Sequence, residues 1–204
     1  YALETLHKHF DTKNLKGFGV DHLEHGTIAS GAALHYLAET QHNKLKHITK
    51  IARIAEDQYV WMDRFTIRNL ELYHSHQQNA VTLLDVIDKT ISPMGGRMLK
   101  RWMALPLKNK EAITRRHEVV SYLLEHSQEL DKIQTNTKRI GDLERLISKV
   151  ATLKISPREV VQLKNSLEAI VPIKQLSQNS DNPSLALLGE QLELCEDLRS
   201  KIKQ

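Results

Sequence analysis

Helix start signals recur along this chain at short intervals, and they constrain its fold more than any other feature. Asp63 precedes the run Arg64-Phe65-Thr66-Ile67-Arg68-Asn69-Leu70, and its carboxylate can accept from the orphan N–H groups of an opening turn. Thr82 followed by Asp85 has the spacing of a capping box. Ser92 caps a third helix, with Pro93 at its first position, where a missing N–H costs nothing. In that helix Met94, Met98, Trp102 and Leu105 fall on one side, beside Leu99 and Met103. Arg97, Lys100 and Arg101 fall on the other. Pro106 stops it. Trp102 is expected on the core side, and full burial would make Trp102→Ala a loss of ~3–5 kcal/mol.

The rest of the chain reads the same way. Leu3, Leu6 and Phe10 mark a short amphipathic helix, interrupted at Gly17 and Gly19. Thr27 to Gln41 is apolar nearly all round, so a buried helix is expected, with Gly31, Ala32 and Ala33 permitting close approach. Asn109 caps a helix striped by Ile113, Arg116, Val120, Leu123 and Leu124. Leu130, Ile133 and Ile140 mark another. Leu143, Leu146, Ile147, Val150 and Leu153 make a third after Gly141. Ser156-Pro157-Arg158-Glu159 is a capping box that opens a helix with Val160, Leu163, Leu167 and Ile170 inward, ended or kinked at Pro172. A polar turn at 177–182 leads to Asn182-Pro183, which starts the last helix. That helix carries two apolar stripes, Leu185/Leu188/Leu192/Cys195 and Leu187/Leu194/Leu198, one expected to bury and the other to lack a partner. The fold class is therefore mainly α. One exception is expected: Ile48-Thr49 and Tyr59-Val60-Trp61-Met62 are β-rich and flank Ala55-Glu56-Asp57-Gln58, which predicts a small β-hairpin near residues 47–63.

Composition narrows the function classes. With 40% apolar residues the chain can bury a core. No apolar run approaches the ~20 residues of a membrane span, and no signal peptide is recognisable in the first 20 residues. The lone cysteine, Cys195, excludes an internal disulfide framework and agrees with a reducing, cytoplasmic setting. A net charge of +4 permits nucleic acid as a partner, but the excess is mild and spread over many helices. The chain starts at Tyr1, not methionine, and is expected to be a piece of a longer protein.

Several groupings could carry chemistry. Gly95-Gly96-Arg97 is the nearest approach to a phosphate-binding loop, but it lacks the preceding strand and the lysine. ATP binding by this piece is not expected. His22-x-x-His25 and His74-x-His76 have ligand-like spacing without partnering cysteines, so solvated surface histidines are expected and metal is not. Arg97, Lys100 and Arg101, with Lys108, Lys110, Arg115 and Arg116 nearby, could follow a phosphate backbone, or simply form a solvated helix face. Basic residues alone would give weak, salt-sensitive binding, since they supply phosphate attraction and not base readout. Asp63, Arg68, Asn69 and Glu71, and again Asp142, Glu144 and Arg145, are better read as caps and interhelical ion pairs than as acid–base machinery. Both groups sit on helix starts with no nucleophile beside them.

The order of these motifs resembles a known family. Met62-Asp63…Thr66…Arg68-Asn69-Leu70-Glu71-Leu72 is followed by Pro93-Met94-Gly95…Arg97…Leu99…Arg101-Trp102…Pro106-Leu107, then by Gly141-Asp142-Leu143-Glu144-Arg145 and Pro157-Arg158-Glu159. This resembles the core, or lever, domain of the bacterial MutS family of DNA mismatch-repair proteins. Upstream, Phe18-Gly19-Val20 and Gly31-Ala32-Ala33-Leu34…Tyr36-Leu37…Thr40-Gln41 resemble the end of that family's connector domain. The departures are small: Phe65 and Ile67 where small residues are common, Gly96 for a hydroxyl residue, Lys149 for arginine and Val160 for leucine. The resemblance implies residues 1–42 as connector tail, with a boundary at His42-Asn43-Lys44, and 43–204 as the first core segment, without clamp and ATPase domains. It implies a non-enzymatic piece that couples mismatched-DNA binding to a separate ATPase domain. The whole protein's partners would be mismatched duplex DNA, a second MutS subunit and MutL, with ATP and magnesium as cofactors held elsewhere. Asp63, Thr66, Arg68, Asn69, Glu71, Arg97, Arg101, Trp102, Asp142, Glu144, Arg145 and Arg158 are the structural or coupling candidates. The competing reading is a self-sufficient helical scaffold or non-specific DNA-binding module.

Overall fold

The computed structural model describes residues 1–40, 45–54, 58–75, 77 and 79–203. The expected boundary at 42–44, residues 55–57 of the expected hairpin turn, and His76 lie outside them. Among the described residues the regular structure is helical, and the chain divides into two compact units.

One unit comprises Tyr1–Ala55 with Ile147–Ile155. Helix α1 (Ala2–Phe10) ends at Asp11, whose left-handed backbone (φ 48°) turns its N–H onto the His7 carbonyl. A 3-10 turn at Lys16–Phe18 closes on Gly19 at φ 66°, a left-handed conformation that glycine adopts at no steric cost. Helix α2 is Glu24–Thr40. Leu6, Leu15, Val20, Leu34 and Leu45 form the core, with Phe10, Phe18 and Ile48 against it. The two helices meet at Gly31, where a Cβ would lie 2.5 Å from the Ala2 carbonyl oxygen. The small-residue expectation therefore holds at Gly31, but burial all round does not. Only Thr27, Gly31 and Leu34 of α2 are buried, and Ile28, Tyr36 and Leu37 face outward.

The other unit comprises Glu56–Leu146 and Ser156–Gln204. Its helices are α3 (Arg64–Asn69), α4 (Leu83–Ile87), α5 (Pro93–Ala104), α6 (Lys110–Glu125), α7 (Ser127–Lys138), the start of α8 (Leu143–Ala151), α9 (Pro157–Gln178), α10 (Pro183–Glu190) and α11 (Glu196–Lys203). The anticipated caps form. Asp63 accepts from the Thr66 N–H at 2.7 Å, Ser92 from Gly95 at 3.1 Å, Asn109 from Ala112 at 2.7 Å and Asn182 from Leu185 at 2.9 Å. Thr82/Asp85 and Ser156/Glu159 both close as reciprocal capping boxes.

Helix α9 is the centre of this unit, touching α7, α10 and α11. Leu163, Leu167 and Ile170 on its inner face meet Leu146 of α8. The helix runs through Pro172 to Gln178 instead of ending there.

Two further sequence expectations fail here. The β-hairpin is not formed among the described residues. Ile48 packs on the first unit's core, and its carbonyl accepts from His9 Nε2 at 2.8 Å. Tyr59 pairs with Leu107, through Val60 N–H to Pro106 O (2.7 Å) and Lys108 N–H to Gln58 O (3.0 Å). Local β-propensity identified the extended stretch but not its partner, which lies nearly fifty residues away and after the proline that ends α5. The single last helix is also replaced by two. The chain breaks at 191–195, with Cys195 at φ 45°. Leu192, Leu194 and Cys195 all pack on the α9 core, and a helix would point Leu192 and Leu194 to nearly opposite sides. An irregular segment buries both, pinned by Lys174 Nζ on the Leu192 carbonyl at 2.7 Å. The two stripes mix as a result: Leu185, Leu192, Leu194 and Cys195 turn inward, whereas Leu187, Leu188 and Leu198 are exposed.

The α9–α10 contact gives a first prediction. A Cβ on buried Gly189 would lie 2.8 Å from Ser177 Cβ and 2.9 Å from the Gln178 backbone nitrogen. Alanine has the higher helix propensity, yet Gly189→Ala is expected to destabilise by ~1–3 kcal/mol, because packed backbone cannot give way. Urea unfolding followed by circular dichroism checks the sign.

Candidate functional site

The strongest convergence of singled-out residues lies where α5 meets the start of α8. Ser92 and Pro93 set the phase of α5, which projects Arg97 toward the Gly141–Arg145 segment. Arg97 Nη1 and Nη2 donate to the two carboxylate oxygens of Asp142 at 2.9 and 2.7 Å, a forked pair. Its Nε donates to Glu144 Oε2 at 2.7 Å. Asp142 also accepts from the Arg145 N–H (3.2 Å), so one carboxylate both holds the arginine and caps α8. Gly141 is held from the other side. Its N–H donates to Ser166 Oγ of α9 at 3.0 Å, and that hydroxyl, fully buried, donates on to the Gln162 carbonyl.

Two carboxylates share one guanidinium. Hydrogen bonding to Arg97, then to the Arg145 N–H, holds the Asp142 carboxyl below the ordinary range. Hydrogen bonding to Asp142, then to Glu144, pushes the Arg97 guanidinium up, so its charge is fixed. Asp63, Asp85 and Asp88 are lowered likewise, by hydrogen bonds from Thr66, Thr82 and Thr90. A depressed folded-state pKa contributes stability that is present above the unfolded aspartate value of ~3.9 and lost as pH falls through the folded value. Acid should therefore destabilise the chain below about pH 4, and Asp142→Asn should flatten part of that dependence. Melting temperature against pH, from 2 to 6, tests this. An unchanged slope in the variant would contradict the ion-pair assignment.

The other candidates are distributed unevenly. Trp102 lies on α5, but its place in the core is corrected: the residue is 44% exposed and the Arg116 guanidinium of α6 sits 3.7 Å from its ring centroid. The condition of full burial is not met, and the cavity argument for Trp102→Ala fails with it. Arg101 is exposed and lines one cleft with Met98 and Trp102, as Arg97 does, so the expected placement of these arginines on the side of α5 opposite Met98 and Trp102 is corrected. Asp63, Thr66, Arg68 and Asn69 belong to the short helix α3, where the Arg68 guanidinium lies 5.5 Å from the Phe65 ring. Glu71 follows at φ 47° and accepts from Ser75 Oγ at 2.8 Å. Arg158 is exposed in the first turn of α9.

Sequence reasoning missed two contributors and, for a third, the contact it makes. Tyr73 donates from its hydroxyl to the Lys100 carbonyl of α5 at 2.6 Å, and burial raises its pKa. Ser166 was hidden inside an apolar helix. Arg116 did leave a signal, since it occupied an apolar-stripe position, as an arginine lying over an aromatic ring would. What these groups can do together is join helices. Among the described residues no three His, Cys, Asp or Glu side chains converge as metal ligands, and no helix is long and apolar enough to cross a membrane.

Residues 65–204 match the family model for MutS domain III. The chain belongs to the MutS family. It is 64% identical over 203 residues to a DNA mismatch repair protein MutS of Flavobacterium psychrophilum, and 65% identical over 204 residues to that of Christiangramia forsetii; each match covers 100% of this chain. The MutS of Bacteroides fragilis is 56% identical over 98% of the chain. In each case the match spans 23% of the relative's length. The Arg97 joint thus lies wholly within the domain III match, as does all of α5 to α11.

Proposed function

We propose that this chain is a mechanical element of a DNA mismatch-repair protein, coupling mismatch binding at one end of the whole protein to nucleotide exchange at the other. Residues 1–42 would close the connector domain and 43–204 would begin the core. No chemical step is assigned to the piece itself. Mismatched duplex DNA, a second MutS subunit and MutL are the partners of the whole protein under this reading. ATP with magnesium belongs to a separate domain, in a cytoplasmic, nucleoid-associated setting. The observation that carries the coupling role is the Arg97 fork: it ties α5 to α8 across 45 residues of sequence with geometry that tolerates little rotation. A joint of that kind transmits a displacement of one helix to the other, whereas a solvated charge run would not.

The test uses the full-length protein. Arg97→Ala should leave mismatch binding and basal ATP turnover in place while cutting mismatch-stimulated nucleotide exchange by roughly 5–150-fold, the range of ordinary coupling energies. Stimulation equal to wild type would remove the joint from the coupling route.

A further inference from the structure

A cleft of about 580 Å³ opens on α5 beside the Arg97 joint. Its apolar wall is Met98, Trp102 and Leu105; Arg101 and Arg116 also line it. Met98 and Trp102 stand one helical turn apart and are both about half exposed. Single exposed apolar side chains are ordinary on any surface. Here they share one concavity with unmatched charge. The cleft's lining includes three arginines and one acidic residue, Glu144; with Asp142, which shares Arg97 with Glu144, three positive charges face two negative ones, an excess of one. Arg101 and Arg116 have no acidic partner among the described residues; Arg116 covers one face of the indole instead.

We propose that this cleft is a docking site for an acidic, apolar-tipped peptide segment of the same polypeptide outside residues 1–204. The inference rests on the reading that the chain works within a longer MutS protein. Charge complementarity names the chemistry: a carboxylate to pair Arg101, presented beside an apolar side chain that packs on Met98 and the open face of Trp102. A nucleic-acid backbone would answer the charge but offer nothing to the apolar wall. Size argues for a tethered occupant. The cleft holds a few side chains, far short of the roughly 800 Å² per partner that a stable intermolecular interface buries. Tethering supplies the missing affinity through an effective concentration near the millimolar range. The relatives that match this chain throughout leave most of their length available to provide such a segment.

Hydroxyl-radical footprinting of the full-length protein tests this directly, because Met98 and Trp102 are oxidisable side chains read separately by mass spectrometry. Arg101→Glu should raise the oxidation rates of both by about fivefold, as expected when a segment docked for roughly four-fifths of the time is repelled. Arg101→Lys keeps the charge and should stay near wild type. Four results overturn the proposal: no increase in Arg101→Glu; the same increase in Arg101→Lys; wild-type protection that disappears on dilution, which would mean a second copy; or protection seen only with duplex DNA present. The footprint reads cleft occupancy without reference to mismatch binding, so its failure leaves the repair role standing.

Discussion

Leu163→Ala is expected to cost ~2–5 kcal/mol, a large share of the ~5–15 kcal/mol by which a domain is usually stable. Leu163 is 4% exposed on the inner face of α9, in contact with the cluster of Leu146, Leu167 and Ile170. Truncation removes its transfer free energy and leaves a cavity that rigid neighbours fill poorly. Poor filling follows from what surrounds it: α7, α10 and α11 all touch α9, and the 191–195 segment is pinned to it by Lys174. Leu187→Ala is the matched control. Leu187 lies on α10 with half its surface in solvent, and its truncation should stay within about 0.5 kcal/mol of wild type. Equilibrium urea unfolding of both variants decides. A loss under 1 kcal/mol at Leu163 would mean that α9 is not the axis of the unit.

What was legible in the sequence and what was not divides by the range of the interaction. Asp63, Thr82, Ser92, Asn109, Ser156 and Asn182 cap helices because each capping bond spans three residues, and spacing alone specifies it. Burial depends on neighbours that spacing does not name. The apolar outer face of α2, the half-open Trp102 and the split of the last helix all turn on which elements lie alongside. Arg97, Asp142 and Glu144 were each identifiable as motif residues. Their meeting was not, since it requires α5 and α8 to be placed together first. The hairpin shows the same limit from the other side: Tyr59 is extended as its propensity suggests, but it pairs with Leu107 because the chain leaving α5 at Pro106 passes there. The candidate site was thus readable as a set of residues and unreadable as a joint.

Leu6→Ala is expected to produce a loss of similar size, ~2–5 kcal/mol, in the unit built on α1 and α2. Leu6 is 1% exposed and Leu3, one turn earlier on the same helix, is 48% exposed. Both are leucines in an amphipathic helix of nine residues, too short to persist in water on its own. The helix is held by what Leu6 buries against Leu15, Val20, Leu34 and Leu45, with the Phe10 ring tilted against Phe18 at 5.0 Å. Gly31 lets α2 approach Ala2 closely enough for that burial to be complete. Removing the Leu6 side chain should therefore release α1 as a whole, so amide protection across residues 5–10 should fall together and not only at the altered position. Leu3→Ala removes the same atoms from a half-solvated site and should leave that protection nearly intact. Hydrogen exchange read residue by residue separates the two. Equal loss of protection in both variants would show that α1 packs with a different face, and the assignment of Leu6 as its anchor would fall.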